Sequence, residues 1–339
     1  MITLGIETSC DETSICILQN ETILSLKTYT QVDLHTVYGG VVPEIASRDH
    51  LAKIHSVLMT CMVESGIEFA EIDIIAYTST PGLAGSLLTG IMYARGLGLS
   101  LCIPCVPVNH IHGHMFTCGL TDGVVCNFLC LLLSGGHTGI YKVSGVDEIE
   151  TLGSTIDDGV GEVFDKLSRA MGFGYPGGAV VESLAEYGDG DVYKFSIPLL
   201  GRDGCDFSMS GLKTQFLKAT QSVLGGESLE YDNVICILNT GSGSVPHGTC
   251  KALADICASF QVTIVNIILN RLSRAMSTCS LRDLVVCGGV ASNSFIRCKL
   301  SDFAVENGLN LYIPDPHLCT DNAAMIAYLG CLRYVSGNS

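Results

Sequence analysis

The run Val108-Asn109-His110-Ile111-His112-Gly113-His114 places two histidines four positions apart, with a third between them. On a helix that spacing puts His110 and His114 on one face, within reach of one metal ion, while His112 points elsewhere. An ion held this way keeps open positions that can polarise an acyl group or bind a phosphate oxygen. The glutamate base of the H-E-x-x-H peptidases is absent, which disfavours peptide hydrolysis. A third ligand is required, and Cys319-Thr320-Asp321-Asn322-Ala323-Ala324-Met325 offers Asp321. The competing role for that aspartate is capping of a helix.

Two glycine turns suit phosphate. Ser134-Gly135-Gly136-His137-Thr138 follows an apolar run, and its glycines permit close backbone approach. Gly288-Gly289-Val290-Ala291-Ser292-Asn293 follows another and is expected to open a helix, presenting N–H groups to a nucleotide. The G-x-G-x-x-G pattern is missing, and in Phe207-Ser208-Met209-Ser210-Gly211-Leu212-Lys213-Thr214 the glycine and lysine are not adjacent, so Walker A fails. Between Ile156 and Lys166 stand Asp157, Asp158, Glu162 and Asp165. Val163, Phe164 and Leu167 alternate with them, so some should face inward as candidates for ribose hydroxyls or a metal; a solvated helix start is the alternative.

The elements that must position these groups read as α/β. Residues 2–18 follow a plan of apolar strand, polar turn and apolar strand, and residues 128–143 repeat it. Such a repeat suggests two similar halves with both turns facing a shared ligand in a cleft, the layout of the actin-like nucleotide-binding fold. Helices are expected at 46–65, 82–99, 163–171, 257–279 and 323–335, and strands at 72–78, 105–108 and 284–287. Residues 224–248 turn rich in Gly, Ser and Asn and read as a surface loop or insertion.

Bulk properties bound the function. At 339 residues the chain exceeds what one core usually serves. It is 47% hydrophobic and 15% charged, with a mean hydropathy of +0.41. Its longest apolar runs, interrupted by Asn127 and Asn266, stop short of the ~18 residues a membrane span needs. The N-terminus reads as a core strand without a basic leader, so a soluble cytoplasmic protein is expected. Seventeen cysteines, odd in number and mostly inside apolar runs, read as reduced core residues; the lone C-x-x-C, Cys102 to Cys105, lacks a second pair. A net charge of −16 offers phosphates no overall attraction, so action on RNA needs a local basic surface or helper proteins.

Taken in order, the motifs resemble the TsaD family, the tRNA N6-adenosine threonylcarbamoyltransferases. The matching stretches are Gly5-Ile6-Glu7-Thr8-Ser9-Cys10-Asp11-Glu12-Thr13, Tyr38-Gly39-Gly40-Val41-Val42-Pro43-Glu44, Pro81-Gly82-Leu83 and Asn109 through His114. Ser134 through Thr138, Asp157 through Lys166, Tyr175-Pro176-Gly177-Gly178, Phe207 through Thr214, Gly288 through Asn293 and Cys319 through Met325 continue the series. The resemblance implies a two-lobed actin-like (ASKHA) fold with duplicated RNase H-like halves and an interlobe nucleotide and metal cleft. The lobes would be 1–108 and 109–320, the latter carrying the insertion at 224–248, with 321–339 a C-terminal helix closing back toward the first.

The implied reaction moves a threonylcarbamoyl group from threonylcarbamoyl-AMP to N6 of adenosine 37 in tRNAs that read codons beginning with A, giving t6A and AMP. By the same resemblance His110, His114 and Asp321 ligate one metal ion per subunit, usually iron; the donor types alone suit iron, zinc or manganese nearly equally. Leu132, Leu133, Ser134, Gly135, Gly136, Asp165, Gly178 and Asn293 would hold the adenylate, with Glu182 at a ribose-contacting position. Asp11 and Glu12 would handle the amine proton. The implied partners are tRNA, a smaller TsaB-like paralogue pairing with the N-terminal lobe and a TsaE-like ATPase, with homodimerisation of the free chain open.

The chain departs from the family pattern in three places. His112 replaces an acid and has no assigned role, Met209 replaces an aromatic, and no glycine precedes Pro81-Gly82. A small-molecule kinase of the same fold would not need the metal trio, and a non-catalytic paralogue would not need to keep it.

Overall fold

The structure, a computed structural model, describes residues 1–124, 126–226, 228–241 and 246–337. The chain divides into two compact units. Unit 1 comprises Met1–Asn127, Val143–Ile149 and Pro314–Ser339; unit 2 comprises Phe128–Lys142 and Glu150–Ile313.

Unit 1 contains β1 (Ile2–Glu7), β2 (Glu12–Gln19), β3 (Thr22–Thr30), α1 (Val32–Thr36), α2 (Pro43–Ser65), β4 (Ile74–Thr80), α3 (Ala84–Leu101), β5 (Cys105–Asn109) and α4 (His110–Asp122). Its sheet runs β3-β2-β1-β4-β5, with the first three strands antiparallel and β1, β4 and β5 parallel. Leu4, Ile6, Ile15 and Ile17 of β1 and β2 join Ile54, Leu58 and Cys61 of α2 in one buried cluster. α2 starts three residues earlier than periodicity suggests because Pro43 stands at a first-turn position, where no N–H is needed.

Unit 2 contains β6 (Phe128–Leu133), most of β7 (Thr138–Gly145) and of β8 (Glu148–Ser154), whose adjoining ends at 143–149 group with unit 1, then α5 (Val160–Met171), α6 (Gly177–Ala185), α7 (Ser210–Leu224), α8 (Tyr231–Thr240), α9 (His247–Thr278), β9 (Asp283–Cys287), α10 (Ser294–Asn307) and β10 (Asn310–Tyr312). Its strand order is β10-β9-β6-β7-β8. Counted from each unit's first strand, both sheets follow the same third-second-first-fourth-fifth order, so the duplication expected from residues 2–18 and 128–143 holds at the level of topology. α11 (Pro316–Cys319) and α12 (Ala323–Val335) return to unit 1, where α12 packs on β1, β2, β4 and α4.

Four expectations need correction. The break after 108 falls instead between Asn127 and Phe128, because α4 packs against α12 and so belongs to unit 1. The second lobe correspondingly ends at Ile313 and not at 320. The segment 224–248 is not simply a loop: Val234 and Ile237 are buried one turn apart on α8 and dock that helix, while positions 227 and 242–245 lie outside the described residues. Finally, α9 reaches 32 residues because its buried positions begin at Cys250, Leu253 and Ala254. By length and composition it could cross a membrane, yet 78% of its most apolar window is buried inside the protein, and Asn266 lies on its exposed side.

Candidate metal centre and phosphate-binding turns

The metal trio is assembled by two caps. Asn109 caps α4, its side chain accepting from the His112 N–H at 3.1 Å, so the helix begins at His110 and His114 follows one turn later on the same face. At the other end of the chain Asn322, not Asp321, caps α12, accepting from the Met325 N–H at 3.1 Å. Asn322 also donates to the carbonyls of Leu318 and Thr320. With capping done by its neighbour, the Asp321 carboxylate is free to turn to the histidines.

β1 holds α12 in place through close contact. A Cβ added to Gly5 would strike the carbonyl of Ala323 and come within 2.8 Å of the Ala327 Cβ, so only glycine lets the helix start approach the strand. The Ala323 N–H also donates to Ser14 Oγ at 3.0 Å. On the opposite flank, the Leu83 N–H donates to the Ser9 carbonyl at 2.8 Å, tying the turn after β4 to the turn after β1.

Asp321 Oδ1 lies 3.1 Å from His114 Nε2 and 3.4 Å from His110 Nε2. The two rings stand 4.8 Å apart at 88°, and one donor atom from each of the three residues lies within 4.8 Å of the others. Donors bound at about 2.1 Å around one near-tetrahedral ion would sit roughly 3.4 Å apart, so the donor set and its spacing fit a divalent transition metal. The fit extends behind the ligands. His110 Nδ1 meets Glu7 Oε2 and Ser9 Oγ, each at 3.1 Å. His114 Nδ1 is buried without a hydrogen-bond partner.

Charges in the cluster are strongly coupled. Burial pushes the His110 pKa down, but the carboxylates of Asp321 and Glu7 outweigh it and hold the ring well above its usual value. Burial pushes Asp321 and Glu7 up, yet His110 draws both below the usual carboxylate range, helped at Asp321 by His114. Glu12 sits well above that range, first through burial, then through the charges of Asp321 and Asp11, with which it shares a side-chain hydrogen bond. Asp11 is buried beside it. His112 belongs to another neighbourhood: burial and then the Arg333 guanidinium lower its pKa, and it is not part of the metal trio.

Two contributors escaped the sequence reading. Glu7 ends an apolar strand, and His50 lies on the buried face of α2. His50 Nε2 faces the Cys10 carbonyl at 2.9 Å and Nδ1 faces Thr13 Oγ1 at 2.7 Å. A carbonyl only accepts, so Nε2 carries the proton and Nδ1 accepts from threonine, clamping both ends of the turn that bears Asp11 and Glu12. Glu7 lay inside the matching stretch Gly5–Thr13 without a role of its own, and the sequence signal for His50 was only a polar side chain on the buried face of α2.

Unit 2 carries the glycine turns. Leu132 and Leu133 are fully buried in β6, backbone included. Ser134 closes the turn, its N–H donating to the His137 carbonyl at 2.8 Å. The start of α5 locks it: Val160, Gly161 and Glu162 N–H groups donate to Thr138 Oγ1, Ser134 O and Gly135 O. A Cβ on Gly159 would strike the Gly135 carbonyl, so that contact demands glycine. By contrast, a Cβ on Gly135, Gly136, Gly178 or Gly289 would meet open space. These four are bare where a ligand could approach, without any internal need to be.

The remaining predicted ligands are partly engaged. Asp165 Oδ1 accepts from the Gly177 N–H at 2.7 Å. Asn293 caps α10 through Ile296 N–H and donates to Gln261 Oε1 at 2.8 Å. Glu182 accepts from both the N–H and the hydroxyl of Ser294. It opens onto a cavity of about 300 Å³ shared with Glu186, Gln261, Ser294, Phe295 and Cys298. The other acids before Lys166 have protein partners of their own, although Asp157 is exposed and Asp158 and Glu162 are half-buried. Asp157 accepts from Ser208 Oγ and the N–H groups of Met209 and Ser210 at the start of α7, while Asp158 and Glu162 grip Lys166 at 2.7 Å.

A family model described as TsaD, tRNA N6-adenosine threonylcarbamoyltransferase, matches residues 22–328. The tRNA N6-adenosine threonylcarbamoyltransferase of Thermosipho africanus is 41% identical over 340 residues, covering 100% of the chain and 96% of the relative. That of Aromatoleum aromaticum is 40% identical over 339 residues, covering 99% and 92%. Among solved structures, T. kodakarensis HypF superposes with a TM-score of 0.64 over 99% of the chain and 48% of that longer protein. At 13% identity this last likeness shows the fold alone.

Proposed function

The chain belongs to the TsaD family of tRNA N6-adenosine threonylcarbamoyltransferases, and from that premise we propose how its own residues carry the reaction. Its activity is transfer of a threonylcarbamoyl group to N6 of an adenosine in tRNA. The donor is threonylcarbamoyl-AMP and the acceptor is adenosine 37 of tRNAs reading codons that begin with A. The N6–carbonyl bond forms as the carbonyl–phosphate oxygen bond breaks, leaving t6A and AMP. Because the mixed anhydride is already activated, the protein must orient, stabilise charge and move one proton.

The observation that carries this reading is the meeting of His110, His114 and Asp321 around one point. They hold a metal ion, iron by family resemblance, which when bound supplies positive charge to an acyl or phosphate oxygen. Glu7 and Ser9 orient His110 from behind. Gly135 and Gly136 present backbone to the donor phosphate, while Asp165, Gly178, Glu182 and Asn293 with its neighbours hold the nucleoside. Asp11, paired with Glu12 and clamped by His50, takes the proton leaving N6.

A TsaB-like paralogue docks on α2 and α3, where Leu51, Val63, Leu88, Met92 and Leu99 stand exposed. A TsaE-like ATPase completes the system, and such helpers compensate for the net charge of −16 toward tRNA. The setting is the cytoplasm. Supplied with threonylcarbamoyl-AMP, tRNA and both helpers, the protein is expected to form t6A in nucleoside digests. Absence of t6A with all components present would sink the proposal.

A further inference from the structure

We propose that Glu7 is the positioning residue that makes His110 a metal ligand: by keeping a proton on Nδ1, it makes Nε2, which faces Asp321, the nitrogen that gives up its proton when a metal binds. This rests on the reading of the trio as a metal centre. Glu7 is fully buried at the end of β1, and its carboxylate receives three donors. Oε1 accepts from the Ser9 N–H at 2.5 Å, and Oε2 accepts from Thr78 Oγ1 and faces His110 Nδ1 at 3.1 Å. An ionised carboxylate only accepts, so the proton between Glu7 and His110 must sit on Nδ1.

Imidazole binds a metal through its unprotonated nitrogen, and the partner of the other nitrogen decides which one that is. His114 has no such partner, since its Nδ1 is buried and unpaired. The orientation of the pair therefore depends on the His110 side, anchored through Ser9 to the turn after β1 and through Thr78 to β4.

Glutamine at position 7 cannot reproduce this. Its amide must turn an NH2 either toward the Ser9 N–H, donor against donor, or toward His110 Nδ1. The second choice drives the proton to Nε2, the tautomer that cannot bind the ion. A merely structural Glu7 would affect the melting of the metal-free chain and leave metal affinity alone.

The wild-type chain, Glu7→Gln and Glu7→Asp are titrated with Zn2+ alone against a competing chelator. Expected is one tight site in the wild type, weakened ~10–100-fold in Glu7→Gln, with Glu7→Asp between. Equal affinity in wild type and Glu7→Gln overturns the inference and leaves the metal centre standing. A wild type that binds no Zn2+ overturns the metal centre and the inference with it. A second measurement needs no variant: nitrogen–proton correlation NMR of the Zn2+-loaded wild type is expected to find the His110 proton on Nδ1, slowly exchanging. A proton missing from Nδ1 overturns the inference whether or not the variants fold.

Discussion

Asp321 Oδ1 lies 3.1 Å from His114 Nε2, although 207 positions separate the two residues in the chain. The contact exists because Asn322 caps α12 in place of Asp321 and because the helix start is pressed against Gly5. Asp321→Ala is expected to reduce bound metal to about a tenth of the wild-type level or less, and t6A formation by about 100-fold, ~2.7 kcal/mol in the barrier. Elemental analysis and the nucleoside assay check the two halves separately; full metal content in the variant contradicts the ligand assignment.

The same cluster dictates a pH profile for the metal-free chain. Folding raises the His110 pKa, so its contribution to stability is complete below the usual 6.5 and is lost as pH climbs through the raised value. Glu12 is also raised, so its burial costs stability as pH climbs above the usual 4.5. Asp321 and Glu7 are lowered, so their contributions are complete above 3.8 and 4.5 and are lost as pH falls toward the lowered values. Melting temperature should fall as pH rises above about 6.5, where His110 adds to Glu12, and again below about pH 4, with a shallower alkaline fall in Asp321→Asn. Metal affinity runs the other way on the alkaline side, rising as the competing proton leaves.

Gly159 and Gly135 are expected to behave oppositely. A methyl at Gly159 collides with backbone, so Gly159→Ala should destabilise the chain by about 1–3 kcal/mol in denaturant melts. A methyl at Gly135 meets open space, so Gly135→Ala should stay within about 0.5 kcal/mol of wild type. The same change should raise the KM for threonylcarbamoyl-AMP by about tenfold, ~1.4 kcal/mol. An unchanged KM removes this turn from the donor site.

Asp157 stands in a stretch of acids that invites a ligand role, but its oxygens are spent on Ser208, Met209 and Ser210. Asp157→Ala should therefore cost about 1–2 kcal/mol of stability and leave the KM for the donor unaltered. A raised KM without loss of stability would restore it as a ligand.

On α3, Leu88 and Met92 are 58% and 61% exposed and four positions apart. Met92→Glu should leave the melt within about 0.5 kcal/mol while weakening capture of a TsaB-like paralogue by more than about tenfold, read by calorimetry. Unchanged affinity would move the docking face elsewhere.

Much of the scaffold could be read before the structure. The α12 boundaries match the expected 323–335, and the strand–turn–strand openings return as β1–β2 and β6–β7, because apolar periodicity is a local signal. The reading failed where locality ends. α8 was hidden by its Gly-, Ser- and Asn-rich flanks, although its own run Val234-Ile235-Cys236-Ile237-Leu238 is apolar and Val234 and Ile237 give it a buried side. The unit boundary was missed because the apolar face of α4 does not announce that α12 covers it.

By itself the sequence determined the family, the repeat of two α/β halves and the two histidines sharing a helix face, since each depends on residues close in the chain. Asp321 was named from sequence as the third ligand, but tertiary structure alone decided that Asn322 does the capping in its place, and that Glu7 and Ser9 stand behind His110. It also decided that Asp157 binds the start of α7 and Asp158 binds Lys166. The physical reason is common to all of these. A polar side chain's role is set by which donor or acceptor lies within about 3 Å of it, and chain closure over long separations chooses that neighbour.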